Sequence, residues 1–491
     1  MLHPQKLILL CAVLMTALTQ AQEIPPPTEI YYKSDFPAWE FKERREKVIE
    51  AIGEDAVALI QGAGPVRGFG MFRQTNEMYY LTGIEVPRLY LLIDGRTGES
   101  RMFLPHRDER FERTEGKIIS AEDLELVQYI NGIDSLHGPE ELLKHLKGAK
   151  IVYTPFEPGE GAAGSRDELR RSNRLIAEDP WDARVSREQL LQNLLKERIP
   201  GVEIRNLSPI LDPLRVVKSD MEVDQLRKAG RLSALALIEA IKTTEPGVWE
   251  WELDAVAKYM FYVGGAQGLG YRSITASGPN INNGHYYRNN RRLTKDDMML
   301  MDFAPDVGYY TSDIGRMWPV DGTYPAFMRE LYGFVVEYHK IVLGVLRPGA
   351  TVEQLQAEVQ EKAIPLFEGW SWSKDIYKAA AKRMVDTGGG AFSHGVGMAV
   401  HDIGSYRRMG VLQPGMVFAI DPQLWVPEED LYIRIEDTIA IRRGGYENLT
   451  GLAPTELDDV EALMREDGML QRLPWKRKVW EISGRNPADG M

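Results

Sequence analysis

Residues 301–320 read MDFAPDVGYYTSDIGRMWPV. The run is rich in strand formers and breaks at Val307-Gly308, so it reads as a β-hairpin. A turn centred between those two residues would oppose Asp302 to Asp313. Opposed cross-strand side chains lie about 4.5–5.5 Å apart at Cβ, and like charges there repel. Water, a basic neighbour, a shared proton or a cation must offset that repulsion.

The totals narrow the classes. A chain of 491 residues has room for about two or three domains. Apolar residues make up 44% and charged residues 27%, the balance of a globular protein with ample core. A formal net charge of −13 argues against a nucleic-acid partner and against a polybasic membrane anchor. Lys6 precedes the apolar run LILLCAVLMTAL, and Thr19 and Ala21 stand ahead of Gln22. That pattern predicts a signal peptide over residues 1–21, too short to span a bilayer. It implies an exported protein, periplasmic or extracellular, with no membrane attachment after cleavage. The sole cysteine, Cys11, lies inside that segment, so a cleaved chain has neither disulfide nor thiol.

Three consecutive prolines in EIPPPTEIYYKSDFP predict an extended linker over residues 22–37. AWEFKERREKVIEAIG then predicts a helix ending at Gly53. The apolar runs 56–60, 88–94, 101–105 and 150–155 predict strands alternating with helices, an α/β domain over residues 38–212. Near residue 215 the texture changes. Ser219 and Glu222 form a capping-box pattern for a long amphipathic helix, which Pro246-Gly247 ends, and Thr351 with Gln354 repeats the device. Strand-like runs MMLMDFA, YYTSDIGRMWPV, MVFAIDPQLWV and LYIRIEDTIAI accompany these helices. Residues 213–465 therefore read as an α+β domain, with 466–491 a peripheral C-terminal extension.

The same domain holds further candidates. FSHGVGMAVHDIG carries His394 and His401, VFAIDP carries Asp421, and ASGPNINNGHYYRN carries His285. In YIRIEDT, alternation puts Arg434 and Glu436 on one face and the isoleucines on the other. Each residue alone reads as an ordinary strand, turn or core position. Together they make an oxygen-rich set with an imidazole, which suits hard or borderline divalent ions, and bridging carboxylates are what two-metal hydrolases use. Bound cations would then offset the Asp302–Asp313 repulsion.

This order, Asp302, Asp313 eleven residues later, a glycine-flanked histidine and two further acids, resembles the pita-bread metallopeptidases. That group includes methionine aminopeptidase, Xaa-Pro dipeptidase (prolidase) and Xaa-Pro aminopeptidase (aminopeptidase P). LRVVKSDMEVDQLRKA, SHGVGMAVHDIG, LQPGMVFAIDP and YIRIEDTIAI are similar to its catalytic-domain motifs. FRQTNEMYYLTGIEVPRLYLLI is similar to the N-terminal domain of aminopeptidase P. The resemblance implies an α/β N-terminal domain followed by an α+β pita-bread (creatinase/aminopeptidase-like) catalytic domain. It implies an exopeptidase that releases the N-terminal residue from peptides with proline second, by a bridging hydroxide in a dinuclear metal site. Xaa-Pro dipeptidase shares these features and stays open as the alternative. By the same resemblance, Asp302 binds one metal ion, Asp313 and Glu436 bridge both, and His394 and Asp421 bind the other. His285 and His401 would contact the substrate and its oxyanion, and Arg434 would support the ligands. The cofactors implied are two divalent ions, Mn2+ foremost, with Zn2+, Co2+ or Fe2+ as substitutes. Relatives form dimers or tetramers, so a homo-oligomer is implied too.

Two positions depart from the family. Asp421 stands where glutamate is usual, which removes about 1.5 Å of reach, while metal–oxygen bonds tolerate about 0.2 Å. Gly390 stands where aminopeptidase P and prolidase often carry another histidine. These departures motivate a third reading, a catalytically impaired peptide-binding relative.

Overall fold

The computed structural model describes residues 26–66, 68–403 and 410–473. The predicted signal peptide and most of the predicted C-terminal extension lie outside the described residues. In the first part of the chain, six strands form one sheet: β1 (Ala56–Gln61), β2 (Tyr90–Asp94), β3 (Glu99–Phe103), β4 (Ser135–His137), β5 (Ile151–Thr154) and β6 (Glu203–Asn206). Their order is β4-β3-β2-β1-β5-β6. The β1–β2–β3 centre is antiparallel, and the outer pairs are parallel, joined through helical crossovers. Residues 31–36 do not behave as a free linker. Phe36 is buried, Tyr32 Oη donates to Gly83 O at 2.8 Å, and Tyr79 Oη donates to Asp35 Oδ2 at 2.6 Å.

Both capping boxes form, Ser219–Glu222 opening the helix Asp220–Thr243 and Thr351–Gln354 opening Val352–Gly369. In the second part of the chain, β7 (Gly268–Leu269) and β10 (Pro305–Asp306) make a short ladder. Beside it lies a sheet of β8 (Ile274–Ser277), β9 (Met298–Asp302), β11 (Ile314–Pro319), β12 (Phe392–Gly395), β13 (Val417–Ile420) and β16 (Glu436–Arg442). Their order is β12-β13-β16-β11-β9-β8, with β17 (Gly445–Asn448) paired to β16. A separate hairpin joins β14 (Gln423–Val426) to β15 (Leu431–Arg434). Strand and helix side chains, among them Trp318, Leu237, Phe261 and Val335, share one buried core.

The opening hairpin has a different register from the one its sequence suggests. Asp302 on β9 pairs with Gly315 on β11, not with Asp313. The turn spans Val307–Tyr310, whose backbone N–H groups donate to each other's carbonyls at 2.8 and 3.0 Å. Its central residues are Gly308 and Tyr309, with φ of 55° and 72°, as a type I′ turn requires. Placing a tyrosine in left-handed backbone costs about 1–2 kcal/mol, and no local signal in the sequence announces it. The first domain offsets that cost. Tyr79 stacks on Tyr309 with ring centroids 3.5 Å apart, Arg73 lies 4.1 Å over the same ring, and Tyr309 Oη donates to Glu85 Oε1 at 2.6 Å.

A buried ion network closes the domain junction. Arg215 donates to Glu160 Oε2 and Asp402 Oδ1, both at 2.7 Å, and Lys218 Nζ reaches Asp402 Oδ2 at 2.9 Å. Removing one partner from such a set strands a buried charge. Arg215→Ala is therefore expected to cost about 3–5 kcal/mol in urea denaturation; a loss below about 1 kcal/mol would contradict this role.

Candidate metal centre

One cross-strand row builds the site. Asp302 ends β9, Gly315 of β11 lies beside it, and Glu436 of β16 follows on the far side. A Cβ on Gly315 would stand 3.1 Å from Glu436 Cβ, 3.3 Å from its Oε2 and 3.5 Å from Arg434 Nε. Glycine there makes room for the acid and the arginine. Asp313 lies just before β11, its N–H donating to Thr438 Oγ1 at 2.7 Å. Asp421 follows β13, whose Ile420 pairs with Asp437. His394 comes from β12, and Arg434 ends β15. Arg434 and Glu436 do share a face, flanking the buried Ile435.

Arg434 sits among the acids. Its Nη1 pairs with Asp302 Oδ2 at 3.0 Å, its Nε donates to Asp421 Oδ1 at 3.1 Å, and its Nη2 donates to Glu436 Oε2. Gln423 Nε2 donates to the other Asp421 oxygen at 2.5 Å. Tyr271 Oη lies 2.6 Å from Asp302 Oδ1 and 2.8 Å from Asp313 Oδ1. A phenol has one proton, so the second contact needs a further proton or a cation. Glu436 Oε1 is buried without a hydrogen-bond partner among the described residues.

Burial and the Asp302 charge hold the Asp313 carboxyl well above the usual range. Burial also raises Glu436 against the opposing pull of Arg434, and it pushes Asp421 up to about 6. Burial, aided by His401, lowers His394 to about 3, so its imidazole is neutral. Its Nε2 is 3.5 Å from Asp313 Oδ2, and potential ligand atoms of Asp313, His394 and Glu436 all lie within 4.8 Å of one another. An unpartnered carboxylate oxygen, a neutral imidazole and acids that resist ionising alone fit a divalent cation.

The residues expected from sequence converge. His285, Asp302, Asp313, His394, His401, Asp421 and Arg434 line one cavity of about 390 Å³, and Glu436 adjoins Asp313 and His394. His401 reaches it from the domain junction. Its Nδ1 is 2.9 Å from Asp167 Oδ2 and its N–H donates to Ser165 Oγ at 3.3 Å. Burial opposes protonation of His401, but the Asp167 carboxylate prevails and raises it. Tyr271, Gln423, Asp167 and Gly315 escaped the sequence reading. Asp167 hid within a charged helix of the other domain, and the other three carry no motif.

Gly390 has φ of 74° and follows two more left-handed glycines, Gly388 and Gly389. Space is open there, but the backbone strains any L side chain. A histidine at 390 would require a different loop.

Residues 224–443 match the sequence pattern of metallopeptidase family M24, and residues 41–153 that of the aminopeptidase P N-terminal domain. Residues 224–443 form an M24 metallopeptidase domain. The Xaa-Pro aminopeptidase of Haemophilus influenzae is 28% identical over 458 residues, covering 89% of this chain and 99% of that protein. Escherichia coli aminopeptidase P with the inhibitor Pro-Leu superposes with a TM-score of 0.70 at 26% identity, over 88% of this chain and 99% of that one. Its zinc-substituted form in complex with product gives 0.69 at the same identity and coverage. The chain thus has the pita-bread fold expected from its sequence, and M24 is a family of divalent-metal peptidases.

Entry of a cation should ionise the raised carboxyls. Metal added to chelator-treated protein near pH 6 is expected to release at least about one proton per chain. Calorimetry in buffers of different protonation heat measures this, and zero release would contradict the burial effect described above.

Proposed function

We propose that this M24 metallopeptidase is an Xaa-Pro aminopeptidase, with Asp302, Asp313, His394, Asp421 and Glu436 holding two divalent ions. The reading is carried by the convergence of four acids and one imidazole on a single cavity. The oxygen-rich donor set favours Mn2+. Such ions, when bound, supply a water that ionises near neutral pH and an electrophilic pull on the scissile carbonyl.

The chain's own groups have distinct tasks. His401, fixed by Asp167 and Ser165, and His285 face the cavity where the carbonyl oxygen gains charge, and hydrogen bonds there stabilise it. Asp421, gripped by Arg434 and Gln423, is the carboxyl that passes the attacking water's proton to the leaving proline nitrogen. Arg434 spaces the acids by touching three of them. Trp425 and Tyr432, stacked with centroids 4.1 Å apart, offer apolar surface to a pyrrolidine ring. The segment before Gln22 supports export, and the protein recovered from its cells should begin at Gln22; an intact Met1 would contradict this.

Protein supplied with Mn2+ should release the first residue from Xaa-Pro peptides of three residues or more, and chelation should stop it reversibly. Preference for Xaa-Pro dipeptides would reassign it as a dipeptidase. Folded protein inactive with manganese, cobalt and zinc would favour the impaired relative. Asp313→Ala should lower kcat/KM by more than about 100-fold, beyond the loss typical of an outer partner. Asp421→Glu should tighten metal binding; unchanged metal content and rate would remove Asp421 from the ligands.

A further inference from the structure

A second group of metal-binding side chains lies on the first domain. His137 ends the edge strand β4, Glu141 closes the short turn Pro139–Glu141, and His145 lies on the helix Leu142–Leu146. Potential ligand atoms of all three lie within 4.8 Å of one another. His137 Nδ1 is 3.5 Å from Glu141 Oε1, and His145 Nε2 is 3.9 Å from Glu141 Oε2. Donors bound tetrahedrally at about 2.0–2.1 Å lie about 3.3–3.4 Å apart, so each of the two carboxylate–imidazole distances is within about half an ångström of that spacing.

The group is held from outside. Ser135 Oγ lies 2.9 Å from His137 Nε2, and an Nε2–H donated there leaves the Nδ1 lone pair facing Glu141. Phe103 stacks on His137 and meets His145 edge-on, both with centroids 5.5 Å apart. Arg96, anchored on Asp94, donates to His145 O at 3.1 Å and fixes the helix end. The imidazole centroids are 4.5 Å apart, yet His145 Nε2 is buried with no hydrogen-bond partner among the described residues. A cation shared by the three would give that nitrogen a partner and hold both rings on one carboxylate. Lys144, 3.4 Å from Glu141 Oε2, is exposed enough to swing away.

We propose that His137, Glu141 and His145 form an accessory site for a borderline divalent transition metal, Zn2+ foremost, separate from the M24 centre. None of the three lines the catalytic cavity. An imidazole-rich set selects zinc, copper or nickel, whereas the carboxylate-rich catalytic set suits manganese, so the chain sorts two metals by ligand type. Bound there, the ion staples the edge strand to the helix that follows it.

The test uses the full chain carrying Asp313→Ala and His394→Ala, titrated with Zn2+ against a chromophoric chelator. One equivalent of bound zinc is expected, weakened at least about tenfold by adding His137→Ala and His145→Ala. No zinc in the first variant, or equal affinity in the second, overturns the proposal. Glutamine replaces alanine where circular dichroism shows loss of fold. In the manganese-loaded wild-type enzyme, the zinc absorption edge of one added equivalent should report two imidazole nitrogens; fewer would overturn it too.

Discussion

Four carboxylates buried against one guanidinium set the terms for the catalytic half of this chain. Asp302, Asp313, Asp421 and Glu436 are each at most 4% exposed. Two like charges 4 Å apart repel by about 4 kcal/mol even at an effective dielectric of 20. Arg434 reaches three of the four and Tyr271 links the two aspartates at its side. That still leaves more negative charge than the pocket neutralises. Either protons or cations must complete it, and the unpartnered Glu436 oxygen beside a neutral His394 suits the cation.

The first domain is part of this machinery. It stacks Tyr79 and Arg73 on the strained Tyr309 turn that sets the β9–β11 register. From the start of its helix Arg166–Glu178 it supplies Ser165 and Asp167 to His401. The next residue, Asp402, is locked by Arg215 and Lys218. A hairpin carrying two acids and a loop carrying a histidine are thus positioned by contacts far away in the chain.

Local signals in the sequence were legible. Both capping boxes, the Gly53 stop and the IRIE alternation follow from short-range chemistry; the acid–acid–histidine–acid–acid order was legible through its resemblance to the pita-bread metallopeptidases, and the folded chain brings those site residues together. The hairpin register was not legible, because a tyrosine at positive φ depends on stacking partners that no local rule supplies. Prolines announced an extended segment near residue 30 but not the surface that Phe36 packs on. Tyr271 and Gln423 are ordinary residue types made functional only by topology. The His137, Glu141 and His145 spacing of four residues lacks a continuous helix to draw the eye, since a strand end, a turn and a short helix share it.

Both proposed metal environments rest on converging ligand atoms, but only the one in the large cavity would tie the fold to an activity. Anomalous diffraction from crystals soaked in Mn2+ addresses that directly. Two manganese peaks bounded by Asp302, Asp313, His394 and Glu436 are expected. A single peak, or an Arg434 guanidinium still filling the space with no metal beside it, would contradict the two-ion centre.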